Sequence, residues 1–228
     1  MTITMVVLLG ASSALAQQAA QGAVSPEQSL AVQTLQKQVP IYVSERPGPW
    51  EKEVGGPLRE GAQEWGLQGG YGMSFKMGGT KHSYNHAWIL PRWGYVWTDL
   101  IGDDVLGGIL QGNGEVIIEG VFGVGTSGMS GWTEGLAVMY KHNFITGTRC
   151  VPFVELGNGV SMNQWGIYEC NSDFEFISQV GLGVQYFFND NWNWMLGARY
   201  HHMSNAGMTK SNPGLNNVIF TTGVTRFF

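Results

Sequence analysis

The stretch 173-DFEFISQVGLGVQYFF-188 decides the fold, because apolar and polar residues alternate along most of it. One parity carries the large apolar residues Phe174, Phe176, Val180, Leu182, Val184, Tyr186 and Phe188. The other parity carries Glu175, Gln179, Gly181, Gly183 and Gln185. Successive side chains of a β-strand point to opposite faces, so the stretch is predicted to be a strand with one apolar and one polar face. A soluble β-sandwich alternates in the same way with its apolar face inward, so periodicity alone does not separate the two.

The composition favours a membrane barrel. The chain has 34 glycines, and only 13% of its residues are charged, against about 25% in ordinary globular proteins. No long apolar run occurs after the first residues, which argues against a helical membrane protein. Few charges together with many glycines and aromatic residues are typical of transmembrane β-barrels. The net charge of -5 provides no basic surface, so a nucleic-acid partner is not expected.

Eight strand-like segments, separated by turn-forming residues, make up most of the chain. They cover residues 64–76, 83–98, 115–126, 132–145, 150–162, 173–188, 192–204 and 214–228. Each is long enough for the roughly 9 to 11 residues that a tilted strand needs to cross a bilayer. Aromatic residues near the segment ends, as in interfacial girdles, include Trp93, Trp97, Trp132, Trp192, Trp194 and the final Phe228. We therefore predict an all-β fold, an eight-stranded antiparallel transmembrane β-barrel with a filled interior. The long connection 99–114 fits this topology poorly.

The N-terminal region indicates export, and together with the predicted barrel this places the protein in the cell outer membrane of a Gram-negative bacterium. Residues 1–16 are predicted to be a signal peptide, because a short apolar core precedes the cleavage pattern Ala14-Leu15-Ala16, although no Lys or Arg precedes that core. Residues 17–62 are predicted to be a polar periplasmic segment and residues 63–228 the barrel. Cys150 and Cys170 fall at opposite ends of one predicted strand, so we expect unpaired thiols although export favours disulfides.

Several local patterns have a functional and a structural interpretation. Gly123-x-Gly125-x-x-Gly128 matches a dinucleotide-binding pattern, but no helix follows it, so a barrel turn is expected. His82 and His86 are spaced as metal ligands only on a helix, since on a strand they lie about 13 Å apart. We expect interfacial polar side chains there, with no metal and no cofactor. Glu155 is expected to be an inward, structural carboxylate.

The segment 198-ARYHHMSNAGMTKSNPGLNN-217 carries the candidate chemistry. His202 and Ser204 share the apolar parity of the seventh strand, which places them on the lipid-facing wall at its rim. Residues two apart on a strand are about 6.6 Å apart at Cα, a gap that an imidazole spans to a hydroxyl. A serine needs a base, and the histidine needs a third group to orient it. The residues available for that role and for an oxyanion hole are Asn205, Gly207, Asn212, Gly214, Asn216 and Asn217. The alternative is a polar loop that closes a hairpin.

The pattern His202-x-Ser204-Asn205-Ala206-Gly207, followed by Asn212-Pro213-Gly214-Leu215-Asn216, resembles the C-terminal signature of the PagL family of lipid A 3-O-deacylases. The segments LPRWGYVWTDL and NFITGTRCVPFVELGNGV are also similar to family segments, so the resemblance extends from about Trp65 to the end. It implies an outer-membrane esterase that removes the acyl chain at the 3-position of lipid A, in the lipopolysaccharide of the outer leaflet.

The resemblance also implies residue roles. Ser204 would be the nucleophile, His202 the general base and Asn216 the third member, where the best-known relatives have a glutamate. Asparagine orients a histidine but adds no charge, so Glu169 or Asp173 is an alternative third member. The substrate-binding residues would be Asn205, Gly207 and Asn212, which would hold the oxyanion. Three lysines, Lys76, Lys81 and Lys210, lie in or near predicted outer loops. They are candidates to meet lipid A phosphates, and the alternative is that they are simply solvated.

Other functions stay open at this point. A non-enzymatic barrel with a structural or adhesive role is the main alternative, and a phospholipase or acyltransferase of the same leaflet is another. A soluble periplasmic β-protein is the least favoured. The oligomeric state is also open, with a homodimer as one alternative.

Overall fold

The computed structural model describes residues 56–78, 80–209 and 212–228. The predictions made for residues 1–16, and for 17–62 up to residue 55, lie outside the described residues. Eight strands follow one another: β1 Gln63–Ser74, β2 Asn85–Val96, β3 Gly112–Ser127, β4 Trp132–Phe144, β5 Cys150–Asn163, β6 Phe174–Phe187, β7 Trp192–Ser204 and β8 Leu215–Phe227. Among these residues, no helix is long and apolar enough to cross a membrane.

The strands form a closed antiparallel barrel in sequence order. Each strand pairs with the next, and β1 pairs with β8, for example through Gly70 and Thr221. The eight strands coincide with the eight predicted segments to within a few residues, so the predicted fold class is confirmed. The glycine pattern lies in strand β3 and the turn after it, where Gly128 has a φ of +74°, as expected for a barrel turn.

The two faces of the wall differ in polarity. On β6, Val180 and Leu182 are exposed on the outer wall while Gln179 and Gln185 are buried in the interior. The remaining strands repeat this alternation, with large apolar side chains outside. A sandwich would bury those side chains between two sheets, whereas here they cover the outside of a closed barrel, as in outer-membrane proteins.

The middle of the interior is an ionic network. Arg199 lies 2.6 Å from Glu119 (Nη1 to Oε1) and 2.9 Å from Glu155 (Nη2 to Oε1). Lys141 lies 3.0 Å from Glu115 (Nζ to Oε2). Burying a charge is costly unless it is paired, so these pairs explain how a barrel accommodates charged side chains. Glu155 is the inward structural carboxylate that the sequence predicts.

An apolar cluster closes the barrel at the end where β1 begins and β8 ends, which we call the turn end. Its members are Leu58, Val96, Ile145, Val151, Phe187 and Phe227. The long connection between β2 and β3 packs Leu100 against this cluster. It continues the hairpin through a bridge between Ile101 and Gly112 and then forms a 3-10 turn at Val105–Gly108. Beyond Leu100 the connection is mostly exposed, and its 3-10 turn contains no buried residue.

The two cysteines are unpaired, as predicted. Cys150 is exposed at the start of β5, and Cys170 is buried in the connection that follows β5. Burial raises the pKa of the Cys170 thiol.

Candidate active site

The candidate residues meet on the outer wall at the end opposite the turn end, which we call the site end. Strand alternation directs His202 and Ser204 of β7 outward, and both are partly buried. The β7–β8 ladder places Asn216 directly opposite His202. The β6–β7 ladder places Phe176 opposite Ser204.

These three side chains form a continuous hydrogen-bonded series. The Oγ of Ser204 lies 3.1 Å from Nε2 of His202. On the other side of the ring, Nδ1 of His202 lies 2.9 Å from Oδ1 of Asn216. A nucleophile, a base and an orienting group in this order are the arrangement that activates a serine.

The surroundings of Asn216 fix the protonation pattern of the series. Its Nδ2 donates to the carbonyl oxygen of Met77 at 2.8 Å and to Oγ1 of Thr80 at 3.0 Å. A carbonyl oxygen only accepts, so this atom is the NH₂ group and Oδ1 faces His202. Because Oδ1 also only accepts, Nδ1 of His202 carries the hydrogen. Nε2 is then left with the lone pair that can take the proton of Ser204.

The loop after Ser204 holds the candidate oxyanion donors in contacts of their own. Asn205 is buried, with its Nδ2 donating to Thr209 at 2.6 Å and its Oδ1 accepting the Gly207 N–H at 3.0 Å. The side chain of Asn212 donates to Glu175 of β6. The structure thus brings His202, Ser204 and Asn216 together, whereas Asn205, Gly207 and Asn212 lie in the adjoining loop and contact other groups.

The carboxylate of Glu169, the alternative third member, contacts groups other than His202. Its Oε1 accepts the backbone N–H groups of Lys81 and His82 at 2.9 and 3.0 Å and lies 2.9 Å from Nδ1 of His82. Its Oε2 accepts the hydroxyl of Tyr84 at 2.7 Å. Burial favours the neutral acid, but these donated hydrogen bonds outweigh it and lower the pKa of Glu169 to about 2. Asp173 is exposed at the end of the same connection, and His202 contacts Asn216 instead.

Glu169 nonetheless supports the site from a distance. Its backbone oxygen accepts the N–H of Gly214 at 3.0 Å. Gly214 has a φ of +90°, and a Cβ there would lie only 2.8 Å from Cε1 of His202. Glycine is therefore required where the loop passes the ring of His202. The sequence offers no signal for this role of Glu169, because its partners are far away along the chain.

The expectation of interfacial polar side chains is wrong for His86. This residue is fully buried in the barrel, where its Nε2 lies 2.8 Å from Oδ1 of Asn217 and its Nδ1 accepts the indole N–H of Trp88. His86 shares its parity with Trp88 and Leu90, and that shared parity faces the interior. His82 lies outside the strand and contacts Glu169. In the part of the chain that the structure describes, no three metal-ligating side chains are grouped to hold an ion.

The model of the PagL family, described as lipid A 3-O-deacylase, matches residues 67–225. The chain belongs to the PagL family of lipid A 3-O-deacylases. It is accordingly an enzyme of the Gram-negative outer membrane that acts on lipid A, and the apolar outer wall of the barrel fits that location. The matched residues include His202, Ser204 and Asn216.

Two solved structures are similar to the chain. The outer membrane enzyme PagL is 17% identical, covers 70% of this chain and 97% of its own, and has a TM-score of 0.47. Neisserial surface protein A is 15% identical, covers 73% of this chain and 99% of its own, and has a TM-score of 0.51. At these identities the second likeness shows the fold alone. No curated protein sequence matches the chain.

Proposed function

We propose that the enzyme hydrolyses the ester-linked acyl chain at the 3-position of lipid A with Ser204 as nucleophile and His202 as general base. The observation that carries this proposal is the Ser204–His202–Asn216 series, in which the Asn216 amide leaves the Nε2 lone pair of His202 facing the serine hydroxyl. The series lies on the lipid-facing wall, where an acyl chain of a membrane lipid can reach it.

In the first half-reaction, Oγ of Ser204 attacks the carbonyl carbon of the ester while its proton moves to Nε2 of His202. The carbonyl oxygen gains the negative charge of the tetrahedral intermediate. The candidate donors to that charge are the backbone N–H groups of residues 205–207 and the side-chain amide of Asn212. Gly207 and Asn212 would exchange their present contacts with Asn205 and Glu175 for the oxyanion.

Collapse of the intermediate breaks the bond between the acyl carbon and the sugar oxygen. The proton on Nε2 of His202 passes to that oxygen, which leaves as a hydroxyl and releases the 3-position. Water then loses a proton to His202 and attacks the acyl-serine, and the fatty acid departs as Ser204 regains its proton. Asn216 keeps the ring oriented in both halves but adds no negative charge.

The outer wall offers the acyl chain an apolar path beside Ser204. The strand registers place Phe176 opposite Ser204, Val160 opposite Phe176, and Leu136 opposite Val160. With strands about 4.8 Å apart, this row extends some three strands from the nucleophile. A shallow groove follows it on β3–β6, lined by Phe122, Glu134, Gly135, Leu136, Val160, Ser161, Met162 and Phe174.

The loops at the site end carry cations suited to lipid A phosphates. Lys81 is exposed, with its Nζ 5.1 Å from the ring centre of Tyr168. Lys76 is exposed in the same β1–β2 connection, and Lys210 lies outside the described residues. We assign Lys76 and Lys81 to the phosphorylated sugar, as charges that attract the substrate without taking part in bond cleavage.

Labelling by a serine-reactive alkyl phosphonate, followed by intact mass measurement, tests the nucleophile. The wild-type protein in detergent should gain one phosphonyl group, and lipid A should protect it. Ser204→Ala should stay unlabelled, whereas Ser178→Ala, which removes an exposed serine of β6, should label as the wild type does. Equal labelling of the wild type and Ser204→Ala would contradict the proposal. Release of acyl chains from phospholipids but not from lipid A would favour a phospholipase.

A further inference from the structure

The amide of Asn216 uses its full hydrogen-bonding capacity at each end. Its Oδ1 accepts from Nδ1 of His202 at 2.9 Å and from the hydroxyl of Tyr200 at 2.5 Å. Its Nδ2 donates to the Met77 carbonyl at 2.8 Å and to Oγ1 of Thr80 at 3.0 Å. Asn216 is 5% exposed, so few of these contacts can be replaced by water.

The hydroxyl of Thr80 likewise uses its full hydrogen-bonding capacity. Its hydroxyl donates to the carbonyl oxygen of Gly214 at 3.1 Å and accepts the backbone N–H of Asn216 at 2.9 Å as well as the side-chain NH₂. A hydroxyl has one hydrogen and two lone pairs, so all three are in use. Thr80 itself is buried, with 3% of its surface exposed. The β1–β2 connection is thereby tied to the first residues of β8.

These contacts discriminate between an amide and a carboxylate. In an aspartate at position 216, an oxygen would replace Nδ2 and face the Met77 carbonyl oxygen at about the same distance, with no hydrogen between them. Thr80 could donate to that oxygen only by giving up its bond to Gly214. Two acceptors held together in a buried site are repulsive, so a carboxylate would displace the loop or become protonated.

We propose that Met77 and Thr80 form a clamp that selects an amide at position 216, so that a neutral third member is the working form of this enzyme. In this arrangement Thr80 is a positioning residue that acts through Asn216. The clamp fixes the orientation of the amide, and the amide in turn fixes the hydrogen on Nδ1 of His202. The asparagine is then matched to its loop, and replacing its amide with the carboxylate of an aspartate lowers turnover. The role in turnover rests on the proposed function, whereas the tautomer does not.

The test combines a tautomer measurement with kinetics on the full-length protein in detergent micelles. Nitrogen-15 NMR of the histidine rings, with His202→Gln to assign the signal, reports which nitrogen carries the hydrogen. Thr80→Val keeps the shape of the side chain and removes the hydroxyl, while Thr80→Ser keeps the hydroxyl. We expect the wild type and Thr80→Ser to hold His202 as the Nδ1–H tautomer, and Thr80→Val to show a mixture.

The kinetic arm uses lipid A deacylation. Thr80→Val should lower kcat about tenfold and keep KM within twofold, because Thr80 orients His202 through Asn216 and does not bind the substrate. Thr80→Ser should retain kcat within about twofold. Asn216→Asp should lower kcat at least about tenfold, and by less when combined with Thr80→Val, because the two sites interact. An Asn216→Asp enzyme as fast as the wild type, or an unchanged tautomer and kcat in Thr80→Val, would overturn the clamp. The expected tautomers without Ser204-dependent deacylation would support the clamp and refute the proposed function.

Discussion

His201 and His202 are neighbours on β7, yet they lie in opposite environments. His202 points outward and has a hydrogen-bond partner at each ring nitrogen. His201 points inward, is 1% exposed and packs its ring 5.1 Å from that of Trp88. Neither ring nitrogen of His201 has a hydrogen-bond partner among the described residues. The pleat of a strand, which reverses the side-chain direction at each residue, separates the two.

In the β7–β8 ladder each of the two histidines also lies opposite an asparagine, so the two positions are closely matched. His202 pairs with Asn216 and His201 pairs with Asn217. In the outward pair the amide oxygen contacts the imidazole, but in the inward pair Asn217 contacts His86 and the backbone oxygen of His201. A histidine opposite an asparagine is therefore not sufficient for a hydrogen bond between the two side chains. The orientation of the amide, set by neighbouring loops, makes the difference.

The largest loss of deacylation should come from removing the hydroxyl of Ser204, which has no counterpart beside His201. Ser204→Ala should lower deacylation by at least about 10³-fold, because the loss of a covalent nucleophile is rarely compensated. The measurement is release of the 3-hydroxy fatty acid from lipid A in micelles. Ser178→Ala provides the control, and it should remain within about threefold of the wild type. A Ser204→Ala enzyme with more than a tenth of wild-type activity would show that the nucleophile lies elsewhere.

The comparison itself is tested by the same substitution at both histidines. His202→Leu should lower kcat by at least about 10²-fold, since general-base catalysis contributes about 10²- to 10⁴-fold. His201→Leu should retain kcat within about threefold and unfold at no lower urea concentration, because it replaces a buried ring without hydrogen bonds by an apolar side chain. Equal losses of activity in the two variants would remove the distinction between the inward and outward pairs.

The sequence predicts this distinction only in part. Alternation along β7 places His202 and Ser204 outward and the hairpin places Asn216 opposite His202, because both follow from local geometry and strand pairing. The same alternation along β2 places His86 on the face of Trp88 and Leu90, which is the inward face. The four-residue spacing of His82 and His86 gives no information about this face. The packing of Leu100 against the apolar cluster at the turn end could not be predicted from the sequence of the β2–β3 connection.

The contacts between loops could not be predicted. Glu169 and Thr80 reach partners more than eighty positions away along the chain, and no periodicity links residues in different loops. Glu169 therefore appeared as a candidate third member on the basis of charge alone. The hydrogen bonds that it receives from Lys81, His82 and Tyr84 show that it organises the loops instead.

The contacts of Glu169 with the loops beside His202 and Asn216 predict that the stability of the fold depends on pH. The folded state lowers the pKa of Glu169 to about 2 from an ordinary value of 4.5, so its carboxylate stabilises the fold above pH 4.5, and this contribution is lost as the pH falls towards 2. Glu169→Gln should lower the urea midpoint at pH 6, and the difference from the wild type should narrow between pH 4.5 and 2. We also expect kcat to fall by several-fold at pH 7, because Gly214 would be less firmly held beside His202.

Glu134→Gln is the matched control for this prediction, since Glu134 is an exposed carboxylate on the outer wall. Its urea midpoint should follow that of the wild type throughout the pH range. A constant difference between Glu169→Gln and the wild type from pH 6 to pH 2 would contradict the ionised contact.

The smallest effect should be a change in KM for lipid A when a positive charge is removed at the site end but not when one is removed at the turn end. Lys81→Gln at the site end should raise KM for lipid A about two- to fivefold at low salt, and the difference should shrink at high salt because exposed charges are screened. Arg149→Gln, which removes an ion pair with Asp190 at the turn end, should leave KM unchanged. Equal KM changes in both variants would indicate a general effect of charge rather than phosphate recognition at the site end.

The central claim is that the outward Ser204–His202–Asn216 series carries out the deacylation. Its most direct test is mass spectrometry of lipid A from cells that express the wild type, Ser204→Ala or His201→Leu, with each protein shown to be folded in the outer membrane. We expect lipid A lacking one 3-hydroxy acyl chain with the wild type and with His201→Leu, and unmodified lipid A with Ser204→Ala. Loss of the acyl chain in all three, or in none, would contradict the account.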